Sequence, residues 1–204
     1  VGNSAGNHDG LGFTDQHDWL ETREAIDCLK GGGASDLMEL TLALSAEMLL
    51  MAKIVRSAEE ARHRLNELLN SGAAFRKFCQ MVEHQHGDVS ILHEPEQYPR
   101  SKYELHIKAL RDGFIKEIDA LTIGLSVVQL GGGRLVMEDQ IDYKAGILLH
   151  CQIGDAVKKD QTIATIYSDR EKAIAEVDCA LSKAFTISGE CVKKPSLIID
   201  VVRP

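Results

Sequence analysis

Apolar residues recur at helical spacing through the first part of the chain, from about Leu20 to Gln85. Steps of three and four residues place them on one face of an amphipathic helix. Asp36 and Glu39 precede one such stripe, and Ser57 and Glu60 precede the next, as is typical of a capped helix start. We expect the first stripe to pack inside a helical layer rather than to line a cofactor or partner groove. That stripe consists of Leu37, Leu40, Leu44, Met48 and Met51.

The pattern turns to strands after residues 87–100, a polar segment with two prolines and no period, which we interpret as a linker. From Tyr103 to Ala109, apolar and polar residues alternate as in a half-buried strand. Between Leu130 and Ile166, glycines separate short β-branched runs and indicate tightly turned strands, because glycine alone enters positive φ without cost.

The same patterns predict the remaining elements of this region. Helices and strands on one small sheet would make an α+β unit. The predicted elements are a helix over 119–129, a helix that begins at the Ser168 and Glu171 start signal and has Ile174, Val177 and Leu181 on its apolar face, and strands at 146–152, 162–167 and 197–202.

Charge and composition exclude several classes of partner. The formal net charge is −8, and no basic stripe offsets it, which argues against nucleic acid. No apolar run approaches the length of a membrane span and no signal peptide is visible, so we expect no membrane partner. Five widely spaced cysteines, odd in number, indicate reduced thiols in a cytoplasmic protein.

Two ordered groups of residues carry a resemblance to a known family. The first runs from Leu-Gly-Gly-Gly-Arg (130–134) through Ile-Asp (141–142), Ala-Gly-Ile (145–147) and Ile-Gly-Asp-Ala-Val (153–157) to Ile-Ala-Thr-Ile (163–166). The second is Val-Gly-Asn-Ser (1–4), followed after an interruption by Leu-Glu-Thr-Arg-Glu-Ala-Ile (20–26). In this order they resemble the pyrimidine-nucleoside and thymidine phosphorylases.

The resemblance implies an α+β fold class, in which the helical tail of a large α/β domain is followed by a small hammerhead-like mixed α/β C-terminal domain. Residues 1–86 would be the C-terminal helical part of the phosphorylase α/β domain, residues 87–100 the linker and residues 101–204 the C-terminal domain. Residues 5–19 depart from the family segment and form an atypical insertion. In the family this segment lies more than halfway along the polypeptide, so we expect the C-terminal half only.

The resemblance also implies an activity for the parent protein. It would be a pentosyltransferase that reversibly converts thymidine or uridine and phosphate to the free base and (deoxy)ribose 1-phosphate, in a cytoplasmic homodimer. In the family, the phosphate loop and the residues that grip the base belong to the front half, and this chain contains none of those motifs. We therefore assign it no catalytic or substrate-binding residue and expect it to be inactive alone. Its partners would be the N-terminal half of the same protein, pyrimidine nucleoside and phosphate.

Other functions remain open at this point. The runner-up is a stand-alone noncatalytic binding or scaffold domain of the same fold, and the related AMP-phosphorylase branch is a third possibility. The Gly154-Asp155 turn also resembles that of lipoyl and biotinyl carrier domains, but no Met-Lys or Asp-Lys-Ala tip lies between matching half-repeats.

Glu24 is the one site residue that the resemblance transfers. In bacterial relatives a glutamate at this position and several backbone carbonyls bind a structural potassium-like cation, and a hard cation favours oxygen ligands. The resemblance therefore implies a possible potassium ion in the complete enzyme and no organic cofactor. Without the other ligands, a surface or capping role for Glu24 is the alternative.

Three further groups have the chemistry of sites but favour structural roles. His84 and His86 are two residues apart, so a helix would place them on different faces. The insertion contains His8, Asp9, Asp15, His17 and Asp18, which could bind a divalent ion but is more typical of a flexible loop. Gly131 to Arg134 offers flexible amides and a guanidinium to an anion, although in the family it belongs to the fold of the C-terminal domain.

Overall fold

The computed structural model describes residues 18–202. The segment at residues 1–4 and nearly all of the insertion at residues 5–19 lie outside the described residues. The described chain divides into two compact units. A helical unit comprises residues 22–98 and 197–202, and a small mixed unit comprises residues 18–21 and 99–196. The predicted boundaries at 86/87 and 100/101 remain predictions.

Five α-helices and a short 3-10 helix occupy the segment from residue 18 to residue 97. Ser57 caps α3, since its Oγ accepts the Glu60 amide at 3.1 Å, as the sequence predicts. Gly72, in the left-handed region at φ 68°, separates α3 from α4. The elements are α1 (Asp18–Leu29), α2 (Ser35–Met51), α3 (Ala58–Asn70), α4 (Ala73–His84), α5 (Ser90–His93) and the 3-10 helix Pro95–Gln97.

The start of α2 differs from the prediction. Its N-cap is Ala34, whose side chain makes no capping hydrogen bond. Asp36 lies inside the first turn, where its carboxylate accepts the adjacent Leu37 amide at 2.9 Å. A negative charge in the first turn favours the helix through the macrodipole without forming a capping box. The acidic signal therefore indicated the region of the start but not the capping residue.

The predicted core stripe of α2 is wrong for this unit. Leu44 and Met48 are each 58% exposed and Met51 is 74% exposed. The buried residue of α2 is instead Ala46, which packs with Val55 and Ala61 and with the partly buried Leu49 and Leu50. Because α2 is apolar around most of its circumference, helical spacing can be traced along more than one of its faces.

A second small core shows that residues 87–100 are more than a linker. They contain α5 and the 3-10 helix, and Leu92 is 5% exposed beside Ile26 of α1 and Phe75 of α4. Lys30 supports the same cluster, since its Nζ donates to the Leu92 carbonyl at 3.1 Å and lies 4.6 Å from the centre of the Phe75 ring. The segment therefore contributes to the core of the helical unit.

The small unit contains two three-stranded antiparallel sheets, where the sequence predicted one. One sheet has the order β1-β5-β3 and the other β4-β2-β6. The strands are β1 (Tyr103–Lys108), β2 (Gly113–Ile118), β3 (Gly146–Leu149), β4 (Ala156–Val157), β5 (Thr162–Ser168) and β6 (Phe185–Ser188).

Strands β1 and β2 diverge into different sheets although four residues separate them. The Ala109 amide donates to the Gln161 carbonyl at 2.9 Å and extends the first sheet. Gly113 then begins β2, where an added Cβ would lie 2.3 Å from the Ser188 carbonyl oxygen of β6. This close approach requires glycine, and it directs the chain into the second sheet.

Two helices cover these strands. α6 (Ala120–Val127) begins at Asp119, whose carboxylate accepts the Thr122 amide, and it continues as one π-helical turn, Val128–Gly132. α7 (Glu171–Lys183) turns Ile174, Val177 and Leu181 inward, as predicted. Its N-cap is Arg170 rather than Ser168, which belongs to β5, so the predicted start signal there was wrong. Each fully buried Ile or Leu side chain of this core stabilises the unit by about 1.5–3 kcal/mol.

The predicted strand at residues 197–202 is also wrong. The segment has no regular structure, and Ile199 and Val202 are almost fully exposed. β-branched composition favours a strand, but a strand forms only with a partner edge. The strand that closes the second sheet is β6, which pairs with β2. No helix in the described part of the chain is long and apolar enough to cross a membrane.

Candidate functional site

Glu24 lies half-buried on α1, one helical turn before Cys28. Burial raises the pKa of the Cys28 thiol, and the negative charges of Glu24, Asp27 and Asp36 add to the increase. This end of the helical unit is therefore an acidic environment, which is compatible with a cation. Within residues 18–202, no group of three or more His, Cys, Asp or Glu side chains is arranged to hold a metal ion. The potassium role of Glu24 stays a prediction.

The triple-glycine loop is buried and its backbone is bonded to the rest of the small unit. The Leu130 carbonyl accepts the Ser168 hydroxyl at 2.7 Å, and the Gly131 carbonyl accepts the Asp142 amide at 2.9 Å. Gly131 has φ 104°, and an added Cβ would lie 2.9 Å from Nε of Arg170. These contacts hold the loop in place and support a structural role for it.

An ionic network holds the same loop against the end of β5. Lys144 forms an ion pair with Asp169 and lies 3.8 Å from Asp142. Asp142 also accepts the amides of Lys144 at 3.1 Å and Asp169 at 3.3 Å. The hydrogen bond from Lys144 lowers the pKa of Asp169, and the Lys102 amide contributes to the decrease. The sequence did not reveal this network, because Asp169 lies far along the chain from Asp142 and Lys144.

Two histidines meet at one hydroxyl on the first sheet. Thr165 of β5 lies 2.7 Å from Nε2 of His150 and 3.2 Å from Nδ1 of His106, measured from its Oγ1. Glu104 lies 3.6 Å from the other ring nitrogen of His106. Burial lowers the pKa of His150, and the charge of His106 lowers it further. One ring nitrogen of each imidazole thus has the Thr165 hydroxyl as its hydrogen-bond partner.

The other groups singled out in the sequence do not form a site in the described residues. His84 ends α4 and His86 follows in the left-handed region at φ 62°. His93, on α5, contacts Cys79 of α4, with 3.9 Å between its Nε2 and the sulfur. The insertion cluster His8, Asp9, Asp15 and His17 lies outside the described residues, as does the side chain of Asp18.

A groove in the helical unit was not predicted. It has a volume of about 720 Å³ and lies between α2, α3 and the C-terminal segment. Leu40, Leu44 and Arg62 line one side, and Leu197 to Val201 line the other. The exposed α2 stripe thus continues into an apolar groove that this chain covers in part.

Comparisons with known proteins agree with the fold. Residues 114–188 match the family described as the pyrimidine nucleoside phosphorylase C-terminal domain. The first and last residues of this range are neighbours in space, because Phe114 of β2 pairs with Ser188 of β6 in the second sheet. The range encloses the second sheet, the triple-glycine loop, the ionic network and α7. The match to this family therefore lies within the small unit.

Longer relatives extend the match to most of the chain. The chain is 39% identical over 183 residues to pyrimidine-nucleoside phosphorylases of Geobacillus stearothermophilus and of Staphylococcus aureus strains USA300 and N315. The match covers 90% of this chain and 42% of each relative. The chain thus spans less than half the length of these relatives, and the resemblance to the pyrimidine-nucleoside phosphorylase family is confirmed.

Proposed function

We propose that this chain is the C-terminal part of a pyrimidine-nucleoside phosphorylase. The complete protein would transfer a (deoxy)ribosyl group reversibly from thymidine or uridine to phosphate. The observation that carries the proposal is the 39% identity to enzymes of that name over 90% of the chain. The family domain at residues 114–188 supports it independently.

The chain's role in that enzyme would be structural. Its triple-glycine loop uses its carbonyls internally, and its ionic network fixes the same loop to β5. Catalysis of this reaction needs preorganised groups around phosphate, base and the developing sugar cation. We place those groups in the N-terminal half of the same protein, so that this chain alone is inactive.

The exposed apolar face of α2 supports a partner on the helical unit. Leu44, Met48 and Met51 are all exposed, and a contiguous apolar surface of this kind usually marks an interface. We assign this face to the N-terminal half of the same protein. The complete enzyme would be a homodimer in the cytoplasm, where its unpaired cysteines stay reduced.

The test compares the complete protein with this chain. Each is incubated with phosphate and with thymidine, uridine or AMP, and release of the free base is followed by chromatography. We expect turnover of thymidine or uridine by the complete protein and none by the chain. Turnover of AMP alone would favour the AMP-phosphorylase branch. No turnover of any nucleoside by the complete protein would favour the noncatalytic scaffold.

A further inference from the structure

A cleft of about 280 Å³ lies in the small unit, between the end of β1, the last turn of α7 and β6. Lys108 and Arg111 line it, together with the hydroxyl residues Ser182 and Thr186. Ile163 and Phe185 contribute an apolar floor. No carboxylate lines the cleft, although acidic residues outnumber basic ones by 31 to 23 in the chain. Its basic character therefore contrasts with the rest of the protein.

Both cations lie at identifiable features of the backbone. The pairing of β1 with β5 shifts register between Ile107 and Lys108, which leaves Ile163 as the extra residue on β5. Such a bulge disrupts the ladder locally, and both Lys108 and Ile163 line the cleft beside it. Arg111 donates a hydrogen bond to the Ile187 carbonyl of β6, which fixes its guanidinium at the cleft and leaves its other N–H groups for a ligand.

Neither cation is neutralised within the described chain. Among residues 18–202, Lys108 and Arg111 form no ion pair with a carboxylate. Two positive charges that share a small cleft repel each other, and a bound anion would remove that repulsion. Ser182 and Thr186 would add hydroxyl donors to the same anion.

We propose that this cleft binds a phosphate monoester with a small organic group. Arginine and lysine with hydroxyl donors form the donor set that tetrahedral phosphate favours. The cleft has room above its apolar floor for a short organic group, because the cleft volume lies just below the 300–1,000 Å³ typical of ligand pockets. This site is separate from the nucleoside phosphorylase reaction.

The last turn of α7 offers a competing partner for the two cations. Its carbonyl groups carry partial negative charge, which also attracts lysine and arginine. A cation that serves only the helix end stabilises the fold but creates no saturable site for phosphate. Binding and stability measurements on the same variants therefore separate the two roles.

The experiment titrates the ¹⁵N-labelled chain with inorganic phosphate and with phenyl phosphate, at constant ionic strength set with chloride. We expect saturable amide shifts around Lys108, Arg111 and Thr186, with tighter binding of phenyl phosphate. Lys108→Gln should weaken binding at least tenfold, as expected for a lost hydrogen bond to a charged group. Thr186→Val should weaken it less, and Lys116→Gln, an exposed lysine on β2 outside the cleft, should leave it unchanged.

Three results would overturn the proposal. One is the absence of saturable shifts, and a second is equal weakening by Lys108→Gln and Lys116→Gln. The third is a set of shifts centred on the triple-glycine loop and Arg134. Equal affinity for the two probes would retain the phosphate site but refute the organic group. The measurement uses binding to this chain, so its outcome is independent of nucleoside turnover by the complete protein.

Discussion

At the scale of single residues, the contact between His150, Thr165 and His106 makes stability depend on pH. Burial lowers the pKa of folded His150 below its ordinary value of 6.5. The unfolded chain then binds more protons near that pH, so this contribution to stability is present above pH 6.5 and is lost as pH falls. We predict that urea unfolding shows a decline in stability below pH 6.5 that His150→Gln reduces.

His63→Gln provides the matched control for this prediction. His63 is an exposed histidine of α3 with its ring near Glu67, away from the two-histidine contact. The decline in stability with falling pH should persist in this variant. A decline that is equally steep in His150→Gln would contradict the assignment, and so would a titration midpoint of His150 above 6.5 in the NMR spectrum.

Ser168 is a second residue whose effect can be estimated. Its buried hydroxyl donates to the Leu130 carbonyl at 2.7 Å and accepts the Arg170 amide at 2.9 Å. Ser168→Ala leaves both groups without this partner, which should cost about 1–3 kcal/mol of unfolding free energy. Ser188→Ala, which removes a hydrogen bond to the exposed Glu190 amide, should cost less. Chemical unfolding of both variants tests the prediction, and equal losses would contradict it.

The role of Glu24 as a potassium ligand can be tested by a substitution in the complete protein. Glu24→Gln in the complete protein should abolish the rise in melting temperature that potassium causes relative to a bulky organic cation, because the variant lacks the charged ligand. Glu21→Gln on the same helix should retain that rise. In this chain alone, potassium should have no specific effect. Potassium stabilisation of the chain that depends on Glu24 would contradict the expected ligand set.

At the scale of elements, the sequence predicted most helices and strands but fewer of the elements that they pack against or pair with. Periodicity placed β1 and α7 well, because each has a more buried face and an exposed face. β5 is buried on both faces, and its β-branched composition between turns indicated it instead. Periodicity failed for α2, where apolar residues surround the helix and only packing selects the buried face. It failed again at residues 197–202, because composition does not show whether a partner edge is available.

Some candidate functional groups could likewise be recognised in the sequence, and others could not. The triple-glycine loop was visible because its residues are contiguous, and its structural role followed from the resemblance. The basic cleft was not visible, since Lys108, Arg111, Ser182 and Thr186 meet only after the chain forms two sheets and α7. Contacts between residues more than 70 positions apart leave no local pattern in a single sequence.

The exposed face of α2 yields a prediction at the scale of elements. Met48→Lys should change the unfolding free energy of this chain by no more than about 0.5 kcal/mol, because surface substitutions usually have small effects. In the complete protein the same change should be strongly destabilising, because it would bury a charge. Thr41→Lys, at an exposed polar position of α2, is the control. Thermal unfolding of both proteins tests this, and an equally small effect in both would contradict the assigned partner.

At the scale of the whole molecule, the two units differ in the size of their cores. Twenty buried residues form one continuous cluster in the small unit, whereas the helical unit has two clusters of three. A small core gives marginal stability, because the little apolar surface that it buries hardly offsets the backbone entropy lost on folding. The helical unit therefore depends more on partners outside itself, in agreement with the exposed face of α2.

Separate production of the pieces tests this difference. We predict a cooperative thermal transition for residues 101–204 and a weaker one for residues 20–85.

Residues 20–98 should melt above residues 20–85, because the longer piece retains Leu92 between Ile26 and Phe75. Leu92→Ala in the longer piece should remove most of that gain, since such a truncation costs about 2–5 kcal/mol. Exposed Leu68→Ala is the control for it. If the helical pieces melted cooperatively and residues 101–204 did not, the small unit would depend on the helices, and its large core would not be sufficient for folding.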